Sequence, residues 1–522
     1  MQLNKFLNIK KIRPELVFLV VLVVCGLLYD YHHIAFYRPI GIHQWRNCVS
    51  AAFPVNYYYG GNFFTPQTNA LLADNSTSDI TVVEFPIFYY IVSMLYRLFG
   101  THEFLFRIFQ VVIGFTGLIF LFRAGQHFTR DWFYAAIIPL IIFSSPVYVF
   151  YLNNFIPDAA ALSLTFIGFY YFIKYQTVRR MSPWLLSMLF FLLAGLIKTP
   201  SLLPYFGLAG VALLELLNGR GRADSESYFP FRLAHIATFM LVIFLIIAWY
   251  LYARLYSDAH GGSVSAIEIR PIWGLSGETI RATLESMKHW FRNGTYHTSY
   301  FLYFSLAVFV FTLIFRKKAN RFLYRFNILI FLGAVSFTLL FFRDMRNHDY
   351  YQTNNLFIFV TVYLTGFTIF RKMAPGIYQS IWTKAAISVA LIFLVINCMN
   401  RIHYRYSDRD MHYVSSSKTI EMFDIEGTLD VLGIDRSAKV HCTPDRSINI
   451  SLYLCNRKGL TDYSGYSKLS LEDRIAAMKE IGIEYVILGS REPYSDVENL
   501  DEIFGKKIGQ TGGTEIFKLT DQ

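Results

Sequence analysis

Apolar and polar positions alternate along this chain on the scale of whole helices. Stretches at residues 15–30, 103–122, 132–150, 155–173, 184–197, 201–217, 233–252, 299–315, 326–342, 354–370 and 385–399 approach the ~20 apolar residues with which a helix crosses a bilayer. They predict a mainly α, polytopic membrane protein with about eleven transmembrane helices. Six short polar gaps, at 1–13, 123–131, 174–183, 218–232, 316–325 and 371–384, hold twenty Lys and Arg residues. The alternate gaps are long, aromatic and sparsely charged. Because basic short loops stay in the cytoplasm, the N-terminus is expected there. Residues 31–102, the turns near 151–157 and 198–200, the loops 253–298 and 343–353 and everything after about residue 400 are expected outside.

A further apolar stretch, 85–99, would invert this pattern if it crossed the membrane, turning Lys174, Arg179, Arg180, Arg316, Lys317, Lys318, Arg321 and Arg325 outward. It is therefore expected to lie along the outer interface. Pro86 suits a first helical turn and the aromatic content suits the headgroup level. The chain divides into a transmembrane domain, 1–399, and a polar tail, 400–522. The tail reads as a small soluble α/β domain, with a strand at Lys439–Cys442, a helix at Leu471–Ile481, a β-rich run at 484–489 and a last strand near Thr514–Lys518. Gly512-Gly513 is a turn signal without the context of a phosphate-binding loop. No internal repeat or low-complexity run is evident.

Composition agrees: 54% of residues are hydrophobic and 16% charged, outside the usual shares of a soluble domain. The net charge of +11 is spread over the basic gaps and forms no stripe with interleaved aromatics, so nucleic acid is not expected as a partner. The five cysteines show no metal-ligand spacing. Only Cys442 and Cys455 fall in the expected outer domain, where an oxidising compartment permits a bridge. No small-residue cleavage site follows Tyr29 and Asp30, so the first span reads as a retained anchor.

The candidate chemistry gathers in the outward segments. The first opens with Gly41-Ile-His43-Gln44-Trp45-Arg46-Asn47 and closes on Glu84-Phe85-Pro86. A carboxylate there can take a proton from an acceptor hydroxyl or amine, which makes Glu84 the first candidate base, although an acidic group before a helix also serves as a simple cap. Asp158 opens an apolar helix after Asn153-Asn154-Phe155-Ile156-Pro157, a costly position that often marks a substrate path; it too is a candidate, with helix capping as the alternative. Lys198, at the outer mouth of a helical hairpin, presents an ammonium to a phosphate or snorkels to lipid headgroups. The loop 343–351 packs five ionisable groups, Arg343, Asp344, Arg346, His348 and Asp349, beside its two tyrosines. Arg346, His348, Tyr350 and Tyr351 suit an anionic headgroup and its sugar or prenyl chain, unless Arg343 and Arg346 pair with Asp344 and Asp349. Arg46 is a further substrate-binding candidate, and Arg270 a weaker phosphate candidate for which a surface role is the favoured alternative.

The order of these features resembles the membrane glycosyltransferases of the GT-C fold, which include protein O-mannosyltransferases and the lipid A aminoarabinose transferase. The residues that carry the resemblance are Gly61-Asn-Phe-Phe-Thr-Pro66, Glu84-Phe-Pro-Ile-Phe-Tyr-Tyr90 with Leu98-Phe-Gly100 and Arg107, Pro157-Asp158, Gly195-Leu-Ile-Lys198-Thr-Pro200 and His348-Asp-Tyr-Tyr351. They run across about residues 15–400, and Leu452–Gly459 extends the likeness into the tail. The resemblance implies transfer of a sugar from a polyprenyl-phosphate carrier to a glycolipid, glycan or protein acceptor on the periplasmic face of a bacterial inner membrane. No cofactor beyond the lipid-linked sugar is implied, and a divalent metal is possible but not required.

One departure bears on mechanism. The family carries an acidic residue early in the first outer loop, whereas residues 31–73 hold none; its place falls on His43, Arg46 or Val49. Glu84, Asp158, Asp30 or His43 then assumes the role of base, or the acceptor needs little help. His43 qualifies as an imidazole base, or it is a hydrogen-bonded structural histidine. In the expected mechanism Lys198, Arg346, His348 and Tyr350 or Tyr351 hold the carrier phosphate, while Glu84, with Asp158, takes the acceptor proton. The alternatives are a transporter, which should show repeats and interrupted helices, and a lipid- or sugar-binding protein without catalysis.

Overall fold

The computed structural model describes residues 13–218, 228–229, 231–261, 269–407, 422, 424–464, 470–495 and 499–519. Most of the basic gaps at 1–13 and 218–232 lie outside the described residues.

The molecule is a helical bundle with a five-stranded sheet docked at one end. The apolar stretches are largely helical, with 132–150 split between two helices, and described helices of spanning length do not reach the expected count of about eleven. Six described helices are long and apolar enough to cross a membrane: Glu103–Thr129, Thr199–Leu217, Leu233–Ala259, Arg321–Leu340, Asp349–Met373 and Ile381–Arg405. A seventh arises if Trp132–Ile142 and Pro146–Leu152, bent by 75°, act as one broken span. The bend falls at Ser144-Ser145-Pro146, where proline has no N–H to continue the ladder and instead starts the next helix. Pro14–Leu28, Met181–Ile197 and Ser299–Ile314 are shorter apolar helices.

Some polar groups inside the bundle are paired across helices, as a lipid-facing environment favours. The Asn327 amide donates to Thr312 Oγ1 at 3.2 Å and accepts from Thr361 Oγ1 at 2.9 Å, tying three helices. Close approach does the rest. A Cβ on Gly117 would lie 2.5 Å from the Ser163 carbonyl oxygen, so the helices Glu103–Thr129 and Asp158–Val178 touch backbone to backbone there.

The stretch 85–99 forms the helix Ile87–Phe99, whose 13 residues are too few to span a bilayer. It buries Phe88, Tyr89, Val92, Ser93 and Tyr96 on one face and packs on the helix Gln44–Tyr58, with the Phe53 and Tyr89 rings 4.9 Å apart.

The tail sheet has the order β2-β1-β3-β5-β4, with β1 Lys439–Thr443, β2 Lys458–Thr461, β3 Tyr485–Leu488, β4 Lys506–Thr511 and β5 Thr514–Lys518. β1 runs parallel to β2 and β3, and β5 antiparallel to β3 and β4. The sequence reading found β1, β3, β5 and the helix Leu471–Ile481. It omitted β2 and β4, a short strand containing glycine and a polar edge strand, neither of which alternates. Gly512-Gly513 makes the two-residue turn between β4 and β5, with Gly512 at φ +53° as such hairpins require.

Docking onto the bundle uses main chain. Gly459 donates to the Asn69 carbonyl at 2.9 Å and accepts from Leu71 N at 2.8 Å, so the first loop adds to the edge of β2. The helix Ile450–Cys455 completes the contact: Tyr453 OH donates to Glu103 at 3.2 Å, and Asn449 Nδ2 to the Cys48 carbonyl at 3.3 Å.

Substituting Gly117→Val is expected to force the two central helices apart. Overpacking of this kind costs about 1–3 kcal/mol, read as a lowered thermal midpoint in detergent, and an unchanged midpoint would contradict the close contact.

Candidate active site

Pro86 ends the first outer loop and starts the helix Ile87–Phe99, so the residues before it are extended. Two bonds fix that segment: Phe85 N donates to the Leu196 carbonyl at 3.0 Å, and Trp249 Nε1 to the Val83 carbonyl at 3.0 Å. Glu84 is thereby held beside the end of the helix Met181–Ile197. That helix stops where Pro200 has no N–H to bond to the Leu196 carbonyl, which accepts from Phe85 instead, and Lys198 follows with extended angles. Arg46 enters from the first turn of Gln44–Tyr58, and the 3-10 turn Asp349–Leu356 brings Tyr350 and Tyr351.

These side chains share one cavity of about 240 Å³. Its wall includes Arg46, Glu84, Lys198, Arg270, His348, Tyr350 and Tyr351 from the sequence reading. Asp158 lies next to it, buried, with Oδ2 3.5 Å from Lys198 Nζ. His43 and Arg346 are not in the wall. His43 is buried and its Nε2 is 3.3 Å from Asp349 Oδ1; Arg346 is exposed. Asp344 pairs with Arg270 at 3.7 Å and Asp349 with Arg405 at 2.6 Å, so the acidic groups of loop 343–351 find their cations elsewhere in the chain.

Charge is nearly balanced in the cavity. Arg46 pairs with Glu84 Oε1, which also accepts from Tyr89 OH at 2.6 Å. Burial by itself raises the Glu84 carboxyl, but the Arg46 and Lys198 cations and the Tyr89 hydroxyl outweigh it and hold it down to about 2. The same pairing outweighs burial at Arg46 and raises its guanidinium above the ordinary value. Burial and the neighbouring His43 push His348 down to about 4, so it is a neutral hydrogen-bonding group at pH 7. Lys198 Nζ also lies 6.0 Å from the Tyr350 ring centroid, within cation–π range.

Beneath the cavity, Asp349 gathers Tyr151, His43 and Arg405 around one buried carboxylate. It joins the first loop, the broken helix and the end of Ile381–Arg405. Sequence reasoning did not single out Tyr151, Tyr89 or Arg405; an arginine in the last turn of an apolar helix was the signal for the last. It also missed Ile448, which the tail contributes to the cavity wall and which no local pattern marks. Among the described residues, the His and Asp grouping with metal-ligand spacing is Asp30, His32 and His33, none of which lines the cavity.

Two apolar cavities complete the picture. One of about 450 Å³ is lined by Phe64, Phe85, Leu196, Leu245, Ala248, Trp249 and Tyr252; its Phe85 directly follows Glu84 of the charged cavity in the chain. A larger one of about 810 Å³ between Ser299–Ile314 and Ile381–Arg405 is lined without a single carboxylate, ammonium, guanidinium or imidazole.

Residues 84–252 match the family described as dolichyl-phosphate-mannose-protein mannosyltransferase. No curated protein matches the sequence. The structure is similar to ArnT from Cupriavidus metallidurans in the apo state, over 97% of this chain and 98% of that one, at 12% identity and a TM-score of 0.61. The same protein bound to undecaprenyl phosphate gives the same coverage and identity and a TM-score of 0.60. A looser likeness is to the oligosaccharyltransferase AglB from Archaeoglobus fulgidus, at 12% identity and a TM-score of 0.48 over 90% of this chain and 69% of that one. The ArnT likeness establishes a shared fold from end to end, the GT-C architecture that the motifs suggested.

Removing Arg46 leaves Glu84 buried without its principal cation. Arg46→Ala is expected to cost about 3–5 kcal/mol, seen as a lowered thermal midpoint at pH 7, and adding Glu84→Gln should restore much of it. The sign in pH follows from the depressed carboxyl. Its stabilising contribution is full above the ordinary value of 4.5 and is lost as pH falls toward about 2, so the gap between wild type and Arg46→Ala should narrow across that window.

Proposed function

We propose that this protein is an integral-membrane glycosyltransferase that moves a hexosyl or pentosyl group from a polyprenyl-phosphate carrier to a glycolipid, glycan or protein acceptor of the cell envelope. The observation that carries the reading is the single cavity in which Lys198, Arg46, Glu84, Tyr350 and Tyr351 meet on a fold shared with ArnT. The relative bound to undecaprenyl phosphate adds support for the class of carrier. The N-terminus lies in the cytoplasm, while the cavity and the tail domain after about residue 400 face the periplasm, in keeping with the positive-inside rule.

The carrier phosphate enters between Lys198 and Arg46, and the first isoprene units lie in the neighbouring apolar groove walled by Phe85 and Trp249. A phosphate competes with Glu84 for Arg46 and with Asp158 for Lys198. Freed from its cation in a buried site, Glu84 becomes more basic. The acceptor oxygen or nitrogen then attacks the anomeric carbon, a new glycosidic bond forms, and the bond from that carbon to the phosphate oxygen breaks. The bonding pair leaves with the phosphate, where Lys198 and Arg46 stabilise the growing charge, and the acceptor proton passes to Glu84. Asp158 orients Lys198 in the free protein and is the alternative base. Neutral His348 and the two tyrosines donate hydrogen bonds or present flat surfaces to the sugar. His43, set against Asp349, is a positioning residue for loop 343–351, and exposed Arg346 takes no part.

A second reading, a carrier-binding protein without catalysis, is favoured by one observation: the Glu84 carboxylate is ion-paired and weakly basic in the free state. Reconstituted protein given a radiolabelled polyprenyl-phosphate sugar separates the two. Transfer of label to a glycolipid or glycan is expected, with Lys198→Ala reducing turnover by about 10²-fold or more. Glu84→Gln should abolish transfer while the protein still binds carrier. Wild-type turnover in Glu84→Gln removes that residue from the mechanism, and carrier binding without any transfer by the wild type supports the second reading.

A further inference from the structure

The segment between β1 and β2 carries two thiols that the proposed transfer does not use. Cys442 lies in β1 and Cys455 ends the helix Ile450–Cys455. Both are wholly buried, and their sulfur atoms are 3.9 Å apart. The remaining cysteines, Cys25, Cys48 and Cys398, belong to the bundle and its first outer loop.

We propose that Cys442 and Cys455 are joined by a disulfide in the mature protein, and that this bond fixes the segment that brings Ile448 to the wall of the active site. The inference rests on the periplasmic placement of the tail proposed above, because only an oxidising compartment sustains such a bond.

Geometry favours it. The thiols already lie sulfur to sulfur, 3.9 Å apart, across the junction of strand and helix, against the ~2 Å of a bond. The twelve intervening residues are ordered from within. Asp445 accepts from Ser447 N at 2.7 Å and Ser451 N at 2.9 Å, and Asn449 is tied to the Cys48 carbonyl beneath. Ile448 sits in the middle of that loop, against the cavity that holds Arg46 and Glu84. A covalent closure at the base of the loop restricts its alternatives in the unfolded chain and keeps the wall in place over a site that must exclude water.

The chemistry balances by thiol–disulfide exchange. Each cysteine loses a proton and the pair loses two electrons, which pass to the disulfide of a periplasmic thiol oxidant; that oxidant leaves as its dithiol. Because both sulfurs are inaccessible in the folded protein, oxidation takes place before the domain closes.

The test uses the full-length wild type, isolated with free thiols blocked at lysis, then denatured and alkylated without reductant. A crosslinked peptide pair spanning Cys442 and Cys455, 2 Da lighter than the reduced form, is expected; alkylation of both residues overturns the proposal. Exposed Ser437 supplies the control for placement, as Ser437→Cys labelled on intact spheroplasts with a membrane-impermeant maleimide. Label together with free native thiols means that the bond is wrong and the placement right. Label appearing only after permeabilisation means that the placement itself fails, which overturns the bond with it. For the effect on the site, the Cys442→Ser, Cys455→Ser double variant should lose several degrees of thermal midpoint and several-fold in transfer turnover, and a double variant with wild-type turnover overturns the role assigned to the Ile448 wall.

Discussion

The account depends on the compensation of two carboxylates by two cations at the edge of an apolar bundle. In the pairs Glu84 with Arg46 and Asp158 with Lys198 the carboxylate is buried and the cation partly exposed. Each member alone would be costly to remove from water. Paired, they are tolerated in an apolar site, and under the proposed function an incoming phosphate competes with each carboxylate for its cation.

Much of the surrounding architecture holds those four groups in register. Trp249 and Leu196 pin the main chain on either side of Glu84, and Pro200 sets the break at which Lys198 projects. Asp349 binds the first loop through His43 and the last long helix through Arg405, so the loop that carries Tyr350 and Tyr351 cannot shift independently. The tail domain takes part as well: Gly459 of β2 exchanges main-chain hydrogen bonds with Asn69 and Leu71 of the first loop, and Ile448 lines the cavity. The cavity's side chains thus come from segments hundreds of residues apart and meet because rigid helices and main-chain bonds bring them together.

Much of this was legible in the sequence, for identifiable reasons. Whole-helix hydrophobicity located the bundle, and the basic gaps argued that 85–99 lies along the interface, where the structure has a 13-residue helix with a single buried face. Ionisable residues next to apolar spans stood out because such positions are expensive, which is why Glu84, Asp158, Lys198 and His348 could be named without coordinates. Pairing was not legible. Nothing local tells that Asp344 meets Arg270 instead of Arg343 or Arg346, or that Arg46 meets Glu84, since partners on a folded chain are chosen by tertiary distance. The same limit hid Ile448, an ordinary apolar residue whose role comes only from where the tail docks, and β4, a polar edge strand with no period to read.

The absence of an acid in residues 31–73 also gains a physical meaning. Arg46, at one of the places where that acid would fall, supplies the cation that neutralises Glu84, so the loop's charge and the candidate base are linked. The most direct test is a structure of the protein with a polyprenyl phosphate bound. The account predicts the phosphate between Lys198 and Arg46, with the Arg46 guanidinium turned away from Glu84 and the prenyl chain leaving past Phe85 and Trp249. A phosphate bound outside this cavity, or one bound with both carboxylate pairs intact, would contradict it.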